Sequence, residues 1–258
     1  MQIKAELIYN KKITQQYFHL AFRASAVARE AQPGQFLSLK ITDGDELLLR
    51  RPFSIHRLNN SCIEVLYAVV GKATEALAQK KAGEYLDVIG PLGNGFTLLP
   101  ITYHLPPILV AGGMGVAPLM FLAEKLRDAQ RKTLVLIGAK TKSHILCEKE
   151  FQKLGCDVKI ATDDGSRGFK GKVTGLLKDL LSTVGYRQSA IYACGPRPML
   201  KEISRISKKG KIPAQISLEE HMACGIGACL GCAVKTKEGF QRVCKDGPVF
   251  DAQEIVWE

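Results

Sequence analysis

Four cysteines near the end of the chain carry the most definite chemistry. They stand as Cys224-Gly-Ile-Gly-Ala-Cys229-Leu-Gly-Cys232, with Cys244 further on. C-x4-C-x2-C followed by a distant fourth cysteine is the spacing of plant-type 2Fe-2S ligation, in which thiolates hold both irons. Gly225, Gly227, Ala228 and Gly231 are small enough for the backbone to wrap closely and aim amides at sulfur, and glycine accepts the positive φ that such a wrap demands. Residues 233–243 read as a hairpin turning around Glu238-Gly239, which returns Cys244 to the other three. Four cysteines also make structural zinc sites or disulfides. Zinc knuckles come as paired C-x2-C, however, and only one such pair is present here.

A second group of residues has the character of a dinucleotide site. Ala111-Gly112-Gly113-Met114-Gly115-Val116-Ala117-Pro118 follows an apolar strand and opens a helix. Gly112, Gly113 and Gly115 let a pyrophosphate approach the free amides and positive dipole end of the helix N-terminus. Pro118 suits the first helical turn. A tight structural turn is the plainer alternative. Cys194-Gly195-Pro196-Arg197-Pro198-Met199 ends another strand, and ligands of open α/β sheets bind beyond the carboxyl ends of strands. Cys194 and Gly195 are therefore expected to face the same crevice as the glycine loop. Taken alone, Cys194 reads first as core packing. Asp163, within Thr162-Asp163-Asp164-Gly165-Ser166, is placed either to accept from a ribose hydroxyl or to form an Asx-type turn.

Nearer the start, Arg50-Arg51-Pro52-Phe53-Ser54 sets a cation, a ring and a hydroxyl side by side. Arg51 suits a flavin pyrophosphate, Phe53 suits the flat face of an aromatic ring, and Ser54 suits its polar edge. Without context the same run is a charged strand start.

The elements that must position these residues fall into three parts. Residues 1–100 hold short alternating runs at 2–9, 17–22, 35–41, 62–70 and 85–89, separated by Gly/Pro turns, with a helix at 74–79. This grammar predicts an antiparallel β-barrel. Residues 101–215 alternate apolar strands (107–111, 133–138, 158–161, 190–193) with amphipathic helices (119–130, 144–154, 176–182, 199–208). That pattern predicts a parallel sheet covered by helices, an α/β domain. Residues 216–258 are Gly- and Cys-rich and too few for a core of their own, so a metal or cluster is expected to supply what apolar burial cannot. The first boundary is expected between 98 and 105.

Composition excludes several classes. With 258 residues, 46% hydrophobic and 24% charged, the chain is neither disordered nor fibrous. The N-terminus lacks the apolar h-region of a signal peptide and no apolar run reaches bilayer length, so a cytoplasmic protein without a membrane span is expected. The net charge of +11 invites nucleic-acid binding, but the lysines are spread along the chain. The dense patch Lys208, Lys209 and Lys211 closes a helix, where cations meet the negative dipole end. Nucleic acid is not an expected partner; the charge reads first as a solvated face, and otherwise suits docking of an acidic protein or attraction of an anionic dinucleotide. Cys62, Cys147 and Cys156 stand singly and read as small buried hydrophobes.

Together, Arg51-Pro-Phe-Ser54, the 112–118 glycine loop, Cys194-Gly-Pro-Arg-Pro-Met199 and the four ordered cysteines resemble the ferredoxin reductase superfamily. Met222-Ala-Cys-Gly-Ile-Gly-Ala-Cys-Leu-Gly-Cys232 looks most like the electron-transfer subunits of dihydroorotate dehydrogenase B. The likeness covers nearly the whole chain. It implies an FAD-binding barrel, an NAD-binding α/β domain and a C-terminal 2Fe-2S segment docked on an FMN-containing dihydroorotate dehydrogenase catalytic subunit, as a heterotetramer of two plus two serving pyrimidine biosynthesis. It further implies flavin contacts at Arg51, Pro52, Phe53, Ser54, Leu66, Tyr67, Ala68, Ala73 and Thr74. Ser54 and Cys194 fall at the catalytic positions, Gly112, Gly113, Gly115, Asp163, Cys194 and Gly195 at the NAD site, and Cys224, Cys229, Cys232 and Cys244 at the cluster. Two departures stand out: the family commonly has arginine where Ala68 stands and glycine where Ala73 stands. The resemblance also implies NAD rather than NADP, with Asp163 and the lack of an evident arginine pair for a 2′-phosphate in support. Two alternatives share some of these features: a related reductase subunit serving ferredoxin, sulfur compounds or hydrogenase, and a basic nucleic-acid-binding protein with a four-cysteine zinc module.

Overall fold

The computed structural model describes residues 1–42, 47–99, 105–182 and 189–257. The expected boundary at 100/101 lies outside the described residues.

The first part is antiparallel. It comprises β1 (Gln2–Lys12), β2 (Tyr17–Arg23), α1 (Ser25–Glu30), β3 (Phe36–Lys40), β4 (Arg51–Ser54), β5 (Arg57–Asn59), β6 (Cys62–Ala68), α2 (Lys72–Gln79) and β7 (Tyr85–Leu92). The strands make one seven-stranded sheet in the order β4-β3-β7-β1-β2-β6-β5. Long β1 makes it curl. Residues Gln2 to Glu6 pair with β7 and those from Leu7 onward pair with β2, with a shift of register between Leu7 and Tyr9. Such a bulge bends a strand and increases its twist. As a result β4, at one edge, meets β6 near the other, and Phe53 and Tyr67 lie edge to face with ring centroids 5.8 Å apart. Leu7, Leu20, Phe22, Leu37, Leu39, Val65 and Leu86 fill the interior. The five strands and one helix read from sequence are present. The additions are α1, β4 and β5, of six, four and three residues, too short to display a period.

The second part continues with β8 (Ile108–Gly112), α3 (Val116–Asp128), β9 (Leu134–Ala139), α4 (Glu148–Lys153), β10 (Asp157–Thr162), β11 (Phe169–Lys170), α5 (Val173–Ser182), β12 (Ile191–Cys194), α6 (Arg197–Gly210) and β13 (Ala214–Ser217). Strands β8 to β13 run parallel to one another. Every residue of β8 is buried, as befits a strand covered on both faces. The chain steps outward from β8 through β9, β10 and β11, then crosses back to β12 on the other side of β8. Such a reversal of strand order is where open α/β sheets bind ligands.

The cysteine segment contributes β14 (Ala233–Thr236), β15 (Gly239–Arg242) and β16 (Val249–Asp251). β14 and β15 form the expected hairpin. β16 does something unanticipated: it pairs antiparallel with β13 and becomes the edge of the parallel sheet. Residues 190–193, which read as the last strand of the sheet, are thus followed across it by two more. Val234, Val243, Phe250, Ala252 and Ile255 share the buried cluster of Ile108, Val110 and Leu136, so the segment borrows the core of the α/β part.

Candidate functional site

Cys232 and Cys244 are buried, Cys224 is half-buried and Cys229 is exposed; none of the eight cysteines forms a disulfide. Gly225 and Gly227 take φ of +69° and +87°, and Leu230 is held at +60° despite its side chain. The Ala228 amide donates to Cys224 Sγ at 3.3 Å, and the Cys244 amide to Cys232 Sγ at 3.4 Å. Arg242 braces the loop from behind, donating to the Gly227 carbonyl at 2.9 Å and to Asp246 at 3.0 Å. Burial opposes ionisation of Cys224, but the amides of Ile226, Cys229 and Ala228 and the Cys229 thiol together bring it down to about 6. Burial, with the adjoining Cys232 thiol, pushes Cys244 up to about 12. Cys224 thus interacts with Cys229, and Cys244 with both Cys232 and Cys224. Among the described residues no three Cys, His, Asp or Glu side chains gather around one point as ligands of a single metal ion. Four cysteines in C-x4-C-x2-C order with backbone amides aimed at sulfur are the donor set of a two-iron cluster, and the residues fit that group.

A cleft of about 850 Å³ opens between the curled sheet and the α/β part. Arg51, Pro52, Phe53, Ser54, Leu66, Tyr67, Ala68, Ala73 and Thr74 all line it. Its size suits a cofactor. Tyr67 stacks on Phe18 at 5.6 Å and donates its hydroxyl to Asn10 at 3.1 Å, so its ring is fixed from both sides. The Thr74 hydroxyl caps α2: it accepts from the amides of Val70 and Gly71 and donates to the Gly71 carbonyl. Arg51, Lys72 and this helix N-terminus all bring positive charge to the cleft, a match for a pyrophosphate that does not need an arginine at Ala68. Aromatic rings and cations in one cleft fit FAD.

The opposite wall escaped the sequence reading. Ser217, Leu218, Glu219, Glu220, His221 and Met222 run from the end of β13 straight toward Cys224. Glu219 opens to the cleft but is crowded by protein, and that burial holds its carboxyl above the usual range. Two acids, a histidine and a methionine directly before the cysteine run were the available signal.

The six residues expected to hold NAD do not line this cleft; from the glycine loop only Met114 and Ala117 reach it. The glycine loop and the Cys194-Gly195 turn are nevertheless in contact, since a Cβ on Gly195 would lie 2.9 Å from Gly112 Cα. A Cβ on Gly112 would strike Met199 and Pro196, whereas Gly113, at φ +54°, faces open space. Close packing thus accounts for Gly112, and Gly113 is free for a ligand. The Cys194 thiol is buried beside Ser217 and Glu219, and burial pushes it well above the thiol range, so it stays neutral. The Asx-type turn belongs to Asp164, which accepts from the Ser166 amide at 2.9 Å and from its hydroxyl. Asp163 instead pairs with Lys172 at 2.7 Å. Cys147 and Cys156 pack half-buried against the apolar core, while Cys62 is half-buried at the end of β6.

Residues 219–256 match the iron-sulfur cluster binding domain of dihydroorotate dehydrogenase B, and residues 109–205 match the oxidoreductase NAD-binding domain. The electron-transfer subunit of dihydroorotate dehydrogenase B (NAD(+)) from Desulforamulus reducens is 43% identical over 93% of each chain. The chain belongs to this family. The corresponding subunit from Caldanaerobacter subterraneus subsp. tengcongensis is 38% identical over 99% of each chain. Among solved structures, one reported for NADH-dependent reduced ferredoxin-NADP oxidoreductase superposes with TM-score 0.86 at 30% identity, covering 98% of this chain and 90% of that one. A ferredoxin NADP+ reductase from Neisseria gonorrhoeae, solved with FAD and NADP, shares the fold at TM-score 0.66 and 16% identity, over 81% of this chain and 91% of that one. As a dihydroorotate dehydrogenase B electron-transfer subunit, the chain is an oxidoreductase component using FAD, a 2Fe-2S cluster and NAD. The zinc nucleic-acid alternative falls with this assignment.

Proposed function

We propose that this subunit exchanges electrons between NAD(H) and an FMN-containing dihydroorotate dehydrogenase catalytic subunit. The supporting observation is continuity: the cleft wall at 217–222 runs within two residues into Cys224, so flavin site and cluster site share one segment. FAD, when bound, converts two-electron hydride exchange with nicotinamide into single-electron exchange with the cluster. The chain's own residues hold and orient. Arg51, Lys72 and the first turn of α2 would neutralise the pyrophosphate, Phe53, Leu66 and Tyr67 would wall the ring system, and Ser54 would offer its hydroxyl to the ring edge. Gly113 and the free amides opening α3 would receive the nicotinamide dinucleotide, with neutral Cys194 and Gly195 beneath the nicotinamide and Asp163 toward the ribose. Cys229, with Ile226 at 56% and Leu230 at 64% exposure, gives the cluster loop an apolar outer rim on which the catalytic subunit would dock. Two copies of each chain would form the heterotetramer. Unpaired thiols support a reducing, cytoplasmic setting, and among the described residues no helix is long and apolar enough to cross a membrane.

Anaerobic co-purification with the catalytic subunit tests the proposal. The expected complex is brown-yellow, contains iron and acid-labile sulfide, is bleached by NADH, and is reduced by dihydroorotate only when the catalytic subunit is present. A colourless protein, or one without labile sulfide, overturns it.

A further inference from the structure

His56 follows the cleft-lining Ser54 by two residues and is 3% exposed. Its Nδ1 lies 2.9 Å from the carbonyl oxygen of Ala117, where the glycine loop passes into the first turn of α3. A carbonyl only accepts, so Nδ1 carries the proton and donates. The next residue, Arg57, pairs with Glu124 of the same helix at 2.7 Å. Between these contacts, Phe121 is buried in the core of the curled sheet. Ala117, Phe121 and Glu124 recur at helical spacing and form one stripe, so α3 is fastened to the curled sheet through His56 and the first residue of β5, which directly follow the strand that carries the flavin motif. Of the three contacts, only that of His56 bears on the turn which opens toward the dinucleotide.

We propose that His56 is a positioning residue that sets the dinucleotide loop at its working distance from the flavin, acting through the Ala117 carbonyl. This rests on the assignment of the cleft to FAD. Interfaces between domains of one chain permit relative motion unless something fixes them, and a misplacement of about 1 Å between reacting groups can cost about 100-fold in rate. The groups around the imidazole are structural: His19 meets it edge to face at 5.4 Å and pairs with Glu64, and Tyr9 packs on His19.

The experiment uses the complex with its catalytic subunit. His56→Leu keeps the bulk and removes the donor, whereas His56→Asn places an amide N–H close to the position of Nδ1. His56→Leu is expected to keep its iron, its flavin and its rate of cluster-to-flavin transfer. It should lose at least tenfold in flavin reduction by NADH, weaken the long-wavelength nicotinamide-flavin absorbance, and exchange amide hydrogens faster in the first turn of α3. His56→Asn should recover most of each. NADH reduction within twofold of the parent, or an equal loss in both half-reactions, overturns the proposal. Should the leucine variant fail to fold, His56→Gln, whose amide reaches one atom further, decides by the same two rates. A parent complex without flavin would overturn the cofactor assignment itself.

Discussion

Gly115 and Cys194 touch through their backbones: a Cβ on Gly115 would lie 1.9 Å from the Cys194 carbonyl oxygen. The glycine there is a spacer between the turns that follow β8 and β12. Gly115→Ala must push these strand ends apart, at a cost of about 3 kcal/mol or more. Gly113→Ala meets no neighbour and bears only the left-handed backbone penalty, about 1–2 kcal/mol. Denaturant unfolding should rank the two variants in that order, and Gly113→Ala should in addition raise KM for NADH.

Cys229 is the exposed member of the sulfur quartet, so its replacement disturbs packing least. Cys229→Ala should abolish the broad visible absorption and most labile sulfide while leaving flavin reduction by NADH within about threefold of the parent. Spectra and sulfide assays check this. A full cluster signal in the variant would refute the ligand assignment.

Arg51 and Lys72 are cations in the lining of the cleft. A hydrogen bond to a charged group is worth about 1.5–3 kcal/mol, so Arg51→Gln should weaken FAD binding roughly ten- to a hundredfold. Flavin fluorescence during reconstitution of the apoprotein measures it.

Burial lowers the His56 pKa to about 4 from an ordinary value of 6.5. The unfolded chain therefore takes up a proton below pH 6.5 that the folded chain refuses until pH 4. Stability should fall as pH drops through this window, by about 3 kcal/mol at its foot, and be level above it. Glu64 adds a second loss: burial opposes its charge, but the contact with His19 holds it below the carboxylate range, so its contribution is lost only at lower pH. Urea midpoints at pH 4.5 and 7.5 should differ more for the parent than for His56→Asn.

Long-period patterns were legible and short ones were not. The cysteine spacing, the buried strands β8 and β9 and the helices α3 and α6 announce themselves because ligation and burial each impose a repeat. β13 and β16, of four and three residues, carry no repeat of their own. Their identity depends on pairing between residues far apart in sequence, Gln215 with Asp251 and Ser217 with Val249. Because β13 was not visible, neither was the cleft wall that follows it. The Thr162 to Ser166 turn shows a finer failure: adjacent aspartates have equal turn propensity, and only the lysine at 172 selects Asp163 for an ion pair.

β16 also bears on how the subunit is assembled in a cell. A sheet margin stitched shut by the stretch that follows the last iron ligand is held partly by the core that stretch borrows and partly by the metal that helps to fold it. Starved of iron, the nascent chain would expose the backbone of β13 as a bare template for neighbouring molecules. Supply of iron and sulfide during expression should therefore govern the soluble yield as well as the colour.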